Sequence, residues 1–217
     1  MAKQEIKQEQ VLNVEEAVNR SEAFINKNKK SLVTFVVALI VLIAGGVMLS
    51  TYVLAPREQK AAEALFVGEQ YFQNGDYETA IVELEAVMAD YKGTKAANLA
   101  KAYAGISNAK LGNYEEAIAN LKAFKGNDAM VAPSVLAALG NCYAQVGEDA
   151  QAAAALMKAA RKADNNLLSP AYLIQAGQIY EKLGKNAEAL KAYKEVKNKY
   201  YLSIQANDID KYIERVK

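Results

Sequence analysis

The sequence predicts an all-α protein: an α-solenoid of four helical hairpins, closed by a C-terminal capping helix and preceded by one transmembrane helix. Three observations predict it. A pattern of small residues recurs four times, its first glycine at Gly68, Gly105, Gly140 and Gly177. A second glycine follows each by seven residues, at Gly75, Gly112, Gly147 and Gly184, and divides every repeat in two. Ahead of the repeats, residues 31–54 hold no charged side chain over 24 positions. A shared register at fixed offsets marks a repeat architecture, in which function lies on a surface.

The elements follow in order. Residues 1–30 form a cytosolic tail. Asn13 followed by Glu16 is a helix-start signal, and Val11, Val14, Val18 and Ile25 fall near one face, so a short juxtamembrane helix is expected. It either positions the anchor or binds a partner. Residues 31–54 form the transmembrane helix, since about 20 apolar residues cross a bilayer. A buried core helix is rarely apolar all round for this length. A signal peptide would have a shorter apolar region nearer the N-terminus. Pro56 directly after Val53-Leu54-Ala55 opposes cleavage, so the anchor is expected to be retained. Arg20, Lys27, Lys29 and Lys30 precede the span and Arg57 and Lys60 follow it. That bias puts the tail in the cytoplasm and the repeats outside, in the periplasm of a bacterium with an inner membrane. Within the span, Gly45, Gly46 and Ser50 are small residues suited to close packing of a partner helix; incidental glycine is the plainer reading.

Residues 55–203 carry the four repeats. Each is a helix, a break and a second helix. The breaks are Asn74-Gly75-Asp76, Leu111-Gly112-Asn113, Val146-Gly147-Glu148 and Leu183-Gly184-Lys185, each with a glycine placed to end the first helix. Ala80, Ala117, Ala152 and Ala189, with the first glycines, let the two helices approach closely. Leu84, Leu121, Leu156 and Tyr193 follow four residues later. One hairpin cannot bury its apolar face alone, so neighbours must stack. In residues 204–217, Ile204, Ile209, Tyr212, Ile213 and Val216 recur at roughly helical spacing, as a capping helix requires.

The register resembles the tetratricopeptide repeat (TPR). Val67-Gly68-Glu69-Gln70-Tyr71, Leu139-Gly140-Asn141-Cys142-Tyr143 and Ala176-Gly177-Gln178-Ile179-Tyr180 carry its apolar-Gly-x-x-Tyr segment. There is no Trp; its position is held by Ala64, Lys101, Leu136 and Leu173. Asn108 stands in place of the tyrosine in the second repeat. The repeats are spaced by 37, 35 and 37 residues, against about 34 for the pattern. The layout of tail, uncleaved span and external repeats is similar to the ancillary Sec-translocon-associated TPR family of bacterial inner membranes. Val14-Glu15-Glu16-Ala17-Val18-Asn19-Arg20, with Phe24, Asn28 and Lys29, resembles that family's lead-in. The resemblance implies links to the translocon and to a membrane-anchored periplasmic chaperone.

Composition limits the chemistry. There is no His and a single Cys, Cys142. That excludes Ser-His-Asp catalysis, His-based metal sites and an internal disulfide. No glycine-rich phosphate loop is present, so neither enzyme activity nor a cofactor is expected. A net charge of +1 gives no sign of nucleic acid. Residues 57–91 hold two basic and eight acidic residues, and residues 182–217 nine basic and five acidic. The repeats are thus expected to be negative at one end and positive at the other, as solvated faces or as steering for a charged partner.

The first helices of TPR arrays line an inward groove. By register its residues are Leu65, Glu69, Phe72, Leu99, Ile106, Ala137, Asn141, Ile174 and Gln178, some of which can instead pack between repeats. Such a groove suits an apolar or amphipathic segment. A carboxylate clamp needs Lys, Asn and Arg there, and Leu65, Glu69, Tyr103 and Ala138 stand near those places. The expected function is a membrane-anchored adaptor for protein partners, without a small-molecule substrate. The alternatives are a scaffold subunit of another envelope assembly or an anchored chaperone or import receptor.

Overall fold

The computed structural model describes residues 27–217, which are helical apart from turns and short loops. The expected juxtamembrane helix within residues 1–26 lies outside the described residues. The chain divides into two compact units, at Pro56/Arg57.

In the first unit, residues 27–49 form α1, which runs into a π-helical turn, Ser50–Leu54. The Ala55 N–H reaches back five residues to the Ser50 carbonyl. Proline explains the widened turn. Pro56 has no N–H to give to the fourth carbonyl before it, and its ring crowds that carbonyl. Among the described residues of this unit the large apolar side chains other than Leu32 are exposed, from Leu39 at 47% to Tyr52 at 75%. A helix long and apolar enough to cross a membrane is therefore present, and none of its apolar window is buried by protein. Added Cβ atoms at Gly45 and Gly46 would meet nothing within 4 Å.

The second unit is an all-helical solenoid, as the sequence predicts. Its hairpins are α2 (Ala55–Gln73) with α3 (Tyr77–Asp90), α4 (Lys95–Leu111) with α5 (Tyr114–Ala123), α6 (Val131–Gln145) with α7 (Asp149–Ala163), and α8 (Ser169–Lys182) with α9 (Asn186–Lys199). A 3₁₀ turn, Ile204–Asp208, leads to α10 (Ile209–Arg215). Contacts run mainly between sequence neighbours, with α4 also touching α6 and α8 touching the 3₁₀ turn.

The repeated residues have two distinct jobs. The first glycine of each repeat receives the large residue sixteen positions later. A Cβ at Gly68 would lie 2.8 Å from Leu84 Cγ, at Gly105 2.7 Å from Leu121 Cγ, and at Gly140 2.9 Å from Leu156 Cγ. The second glycine ends the first helix. Gly112 has φ +84°, its N–H meets the Ala109 carbonyl, and the Asn113 N–H reaches the Asn108 carbonyl. The other three breaks repeat both bonds. This satisfies helix-end carbonyls that would otherwise be orphaned.

The C-terminal end is closed by α10. Ile209, Ile213 and Val216 enter the last core with Tyr193 and Val196. Ile204 does not join them: it lies in the 3₁₀ turn and is 85% exposed. A clamp fixes α10 to α8. Arg215 donates two 2.7 Å hydrogen bonds to Glu181, which also accepts from the Tyr193 hydroxyl. The Arg215 hydrogen bonds hold the Glu181 carboxyl below its usual pKa, against the opposing effect of burial. A depressed folded-state pKa stabilises above the unfolded value and is lost as pH falls through the folded one. Glu181→Gln should therefore lower the melting temperature at neutral pH, and the difference from wild type should vanish in acid. With Arg215 half exposed, an exposed pair contributes at most about 1 kcal/mol, or no more than about 4 °C. A difference that persists below the carboxylate range would refute the clamp.

Candidate partner-binding surface

The residues expected to face inward lie on the first helices, α2, α4, α6 and α8. At the junction of the first two repeats one of them, Phe72, packs on two tyrosines. Phe72 meets Tyr103 edge-to-face at 5.1 Å between ring centroids and Tyr77 at 5.7 Å. Aromatic pairs favour this arrangement because the positive ring edge meets the negative face. Burial first, and then the nearby Glu69 carboxylate, push the Tyr103 pKa up.

The remaining inward residues divide by exposure. Asn141 and Gln178 are exposed. Leu99, Ile106 and Ile174 are half-buried against the cores of their repeats. A charge at Ile106 would therefore disturb packing as well as the surface. Leu65 and Ala137 depart from the sequence reading. Leu65 is 6% exposed in the core with Ala61, Ala80 and Leu84, and Ala137 is 5% exposed beside Leu156 and Leu173. They pack within and between hairpins and leave almost nothing for a partner to touch. Phe66 is the residue that sequence reasoning missed. It is 58% exposed, one position along from Leu65. Its register position recurs at Tyr103, Ala138 and Gln175, all only partly buried, and that recurrence was the available signal.

The chemistry of this face is apolar and amide. Among the described residues no three His, Cys, Asp or Glu side chains gather as metal ligands. Cys142 is buried, and burial raises its thiol pKa, so it is a packing residue. Ion pairs bear on the expected charge polarity. Of the nine basic residues in 182–217, six (Lys182, Lys197, Lys199, Lys211, Arg215 and Lys217) are in ion pairs. Three of the partners, Asp149, Asp164 and Glu181, lie outside that segment and offset part of its positive excess.

With this geometry in place, a family comparison decides the class. The family model described as a tetratricopeptide repeat-like domain matches residues 22–209. The chain belongs to this tetratricopeptide repeat-like family. No match is found among curated proteins. A tetratricopeptide repeat protein from Parabacteroides merdae is similar in structure, with TM-score 0.60 and 17% identity over 73% of this chain. This chain spans 60% of that protein's length. The MamA protein is also similar, with TM-score 0.53 and 19% identity over 72% of this chain and 89% of that one. At these identities the likeness shows the fold alone. That fold is one of protein–protein interaction modules.

The tetratricopeptide pattern explains two local features. At the second tyrosine position, Asn108 is buried and donates to the Ala104 carbonyl at 3.0 Å, while its oxygen accepts from Asn113 at 3.4 Å. A buried amide is tolerated because both of its ends are paired. At the missing Trp positions, Lys101 and Leu136 border open clefts, whereas Leu173 is fully buried.

Proposed function

We propose that this tetratricopeptide protein is a membrane-anchored adaptor. Its repeats hold an apolar or amphipathic segment of a partner protein against the inward face of the first helices. One observation carries the reading: an apolar helix with none of its window buried by protein occurs in the same chain as an interaction fold in which Phe66, on the first helix of the first repeat, is exposed. The lysine bias around the span supports a cytoplasmic tail and repeats in the periplasm. The layout's resemblance to translocon-associated tetratricopeptide proteins supports a partner in a membrane complex, with a translocon or a periplasmic chaperone as the first candidates. Gly45, Gly46 and Ser50 offer that complex a place for helix contact in the membrane.

Two measurements test this reading. Protease added to spheroplasts should digest the repeats and leave a fragment with the tail and span. Protected repeats would reverse the topology and remove the periplasmic role. Affinity purification from detergent should recover translocon or chaperone subunits; recovery of division or outer-membrane assembly proteins instead would favour a structural scaffold.

A further inference from the structure

We propose that the loop edge of the repeat unit, where second helices end and the next first helices begin, is a docking strip for an acidic polypeptide segment bearing large apolar side chains. Two clefts lie side by side along this edge. One, of about 450 Å³, has Met88 and Ala97 among its walls together with Lys92, Lys95, Lys101 and Lys125. The other, of about 440 Å³, has Phe124, Val135 and Leu136 with Lys125, Lys158 and Lys162. Lys125 lines both. None of the inward-face residues discussed above lines either cleft, so the strip is a second surface.

Charge identifies the occupant. None of these six lysines makes an ion pair among the described residues, where every ion pair lies at Asp149 or beyond. Two carboxylates border the strip, and each is held by backbone N–H groups at a helix start instead of by these ammonium groups. Glu58 accepts the Lys95 and Ala96 N–H groups at 2.9 and 3.0 Å. Asp128 accepts the N–H groups of Met130, Val131 and Ala132 at the start of α6. Six lysines against these two carboxylates leave an excess positive field over an apolar floor; Lys101 and Lys162 donate only to neutral oxygens, of Ala123 and Asn127. A flat headgroup layer would reach the lysines but not the floor. Single-stranded nucleic acid binds on exposed aromatic platforms, and the one aromatic residue lining the clefts, Phe124, is half-buried. An acidic segment that inserts large apolar side chains satisfies both parts. The missing Trp matters here, since an indole at Lys101 or Leu136 would occupy the cleft that residue lines.

The test uses the full-length protein in uncharged detergent micelles and fluorescein-labelled synthetic peptides read by anisotropy. A peptide of Glu with interspersed Phe should bind, and more weakly as salt is raised. Its Phe→Ser version should bind about tenfold more weakly, and its Glu→Lys version should not bind. Lys125→Glu should weaken binding at least about tenfold without changing the melting temperature. Lys101→Trp should weaken it by filling one cleft, and Lys158→Gln with Lys162→Gln gives the same readout if Lys125→Glu fails to fold. Lys191→Glu, away from the strip, should change nothing. Phe66→Glu should leave this peptide's affinity intact, which separates failure of the strip from failure of the inward face. Equal binding of the Phe and Ser peptides would reduce the strip to a non-specific polyanion sink and overturn the proposal. So would indifference to Lys125→Glu, or Lys125-dependent binding to phosphatidylglycerol vesicles with none to the peptide.

Discussion

Gly177→Ala is expected to destabilise the repeat unit, although helix propensity favours the change. Replacing an interior helical glycine by alanine gains about 1 kcal/mol in an exposed helix. Here the added Cβ would lie 2.3 Å from Tyr193 Cε1 and 2.6 Å from its Cζ. Tyr193 is fully buried, and its hydroxyl is held by Glu181, so the ring has no room to swing away. Overpacking of a filled core typically costs about 1–3 kcal/mol, and a ring fixed at both ends belongs at the upper end. The net loss should be about 2 kcal/mol, or roughly 4–8 °C in melting temperature. Gly177→Leu should prevent the last hairpin from closing. Gly112→Ala separates the two kinds of glycine. Its Cβ would meet nothing within 4 Å, but its φ is +84°, so its cost is conformational and about 1 kcal/mol. Circular dichroism melts of the full chain in detergent provide the readout. A Gly177→Ala melting temperature equal to or above wild type would show that the glycine is not a packing site.

The same pairs explain why so much of the fold was legible. Each sixteen-residue offset, from Gly68 to Leu84 through Gly177 to Tyr193, is a contact written into the sequence as a fixed distance. The turn glycines were legible for a similar reason: a positive φ after a helix restricts the residue strongly. The surface was less legible. Neighbouring residues on a helix differ by about 100°, so one position decides between core and solvent. Leu65 and Phe66 are both large and apolar, and nothing in their side chains distinguishes them. Ile204 fits a helical period, yet the chain forms a 3₁₀ turn there. The charge map needed the fold as well, because ion pairs join residues far apart in sequence. Arg215 with Glu181 and Lys199 with Asp164 offset part of the positive excess at an end that looks basic when counted along the chain. The unpaired lysines of the loop edge come from residues 92–162 and converge only when the hairpins stack.

That one-residue difference gives the sharpest test of the inward face. Leu65→Glu should collapse the first hairpin. The site is 6% exposed among Ala61, Ala80, Leu84 and Val87. The substitution forfeits about 1.5–3 kcal/mol of apolar burial and places a carboxylate where no cation is paired with it, which costs several kcal/mol more. A loss above roughly 4 kcal/mol is exceptional for one substitution. In a repeat array it should appear as early melting of the first hairpin, because each repeat is stabilised chiefly by its neighbours. Phe66→Glu sits one position away at 58% exposed. An exposed substitution changes stability by about 0.5 kcal/mol or less, so its melting curve should overlay wild type within about 2 °C. If the inward face holds an apolar partner segment, recovery of that partner should fall about tenfold, the equivalent of about 1.4 kcal/mol of lost contact. The outcomes separate cleanly. Early melting in both variants would place Phe66 in the core and remove the aromatic anchor from the face. A stable Phe66→Glu protein that still recovers its partner in full would move binding off the inward face, and the lysine-lined edge would become the first surface to test.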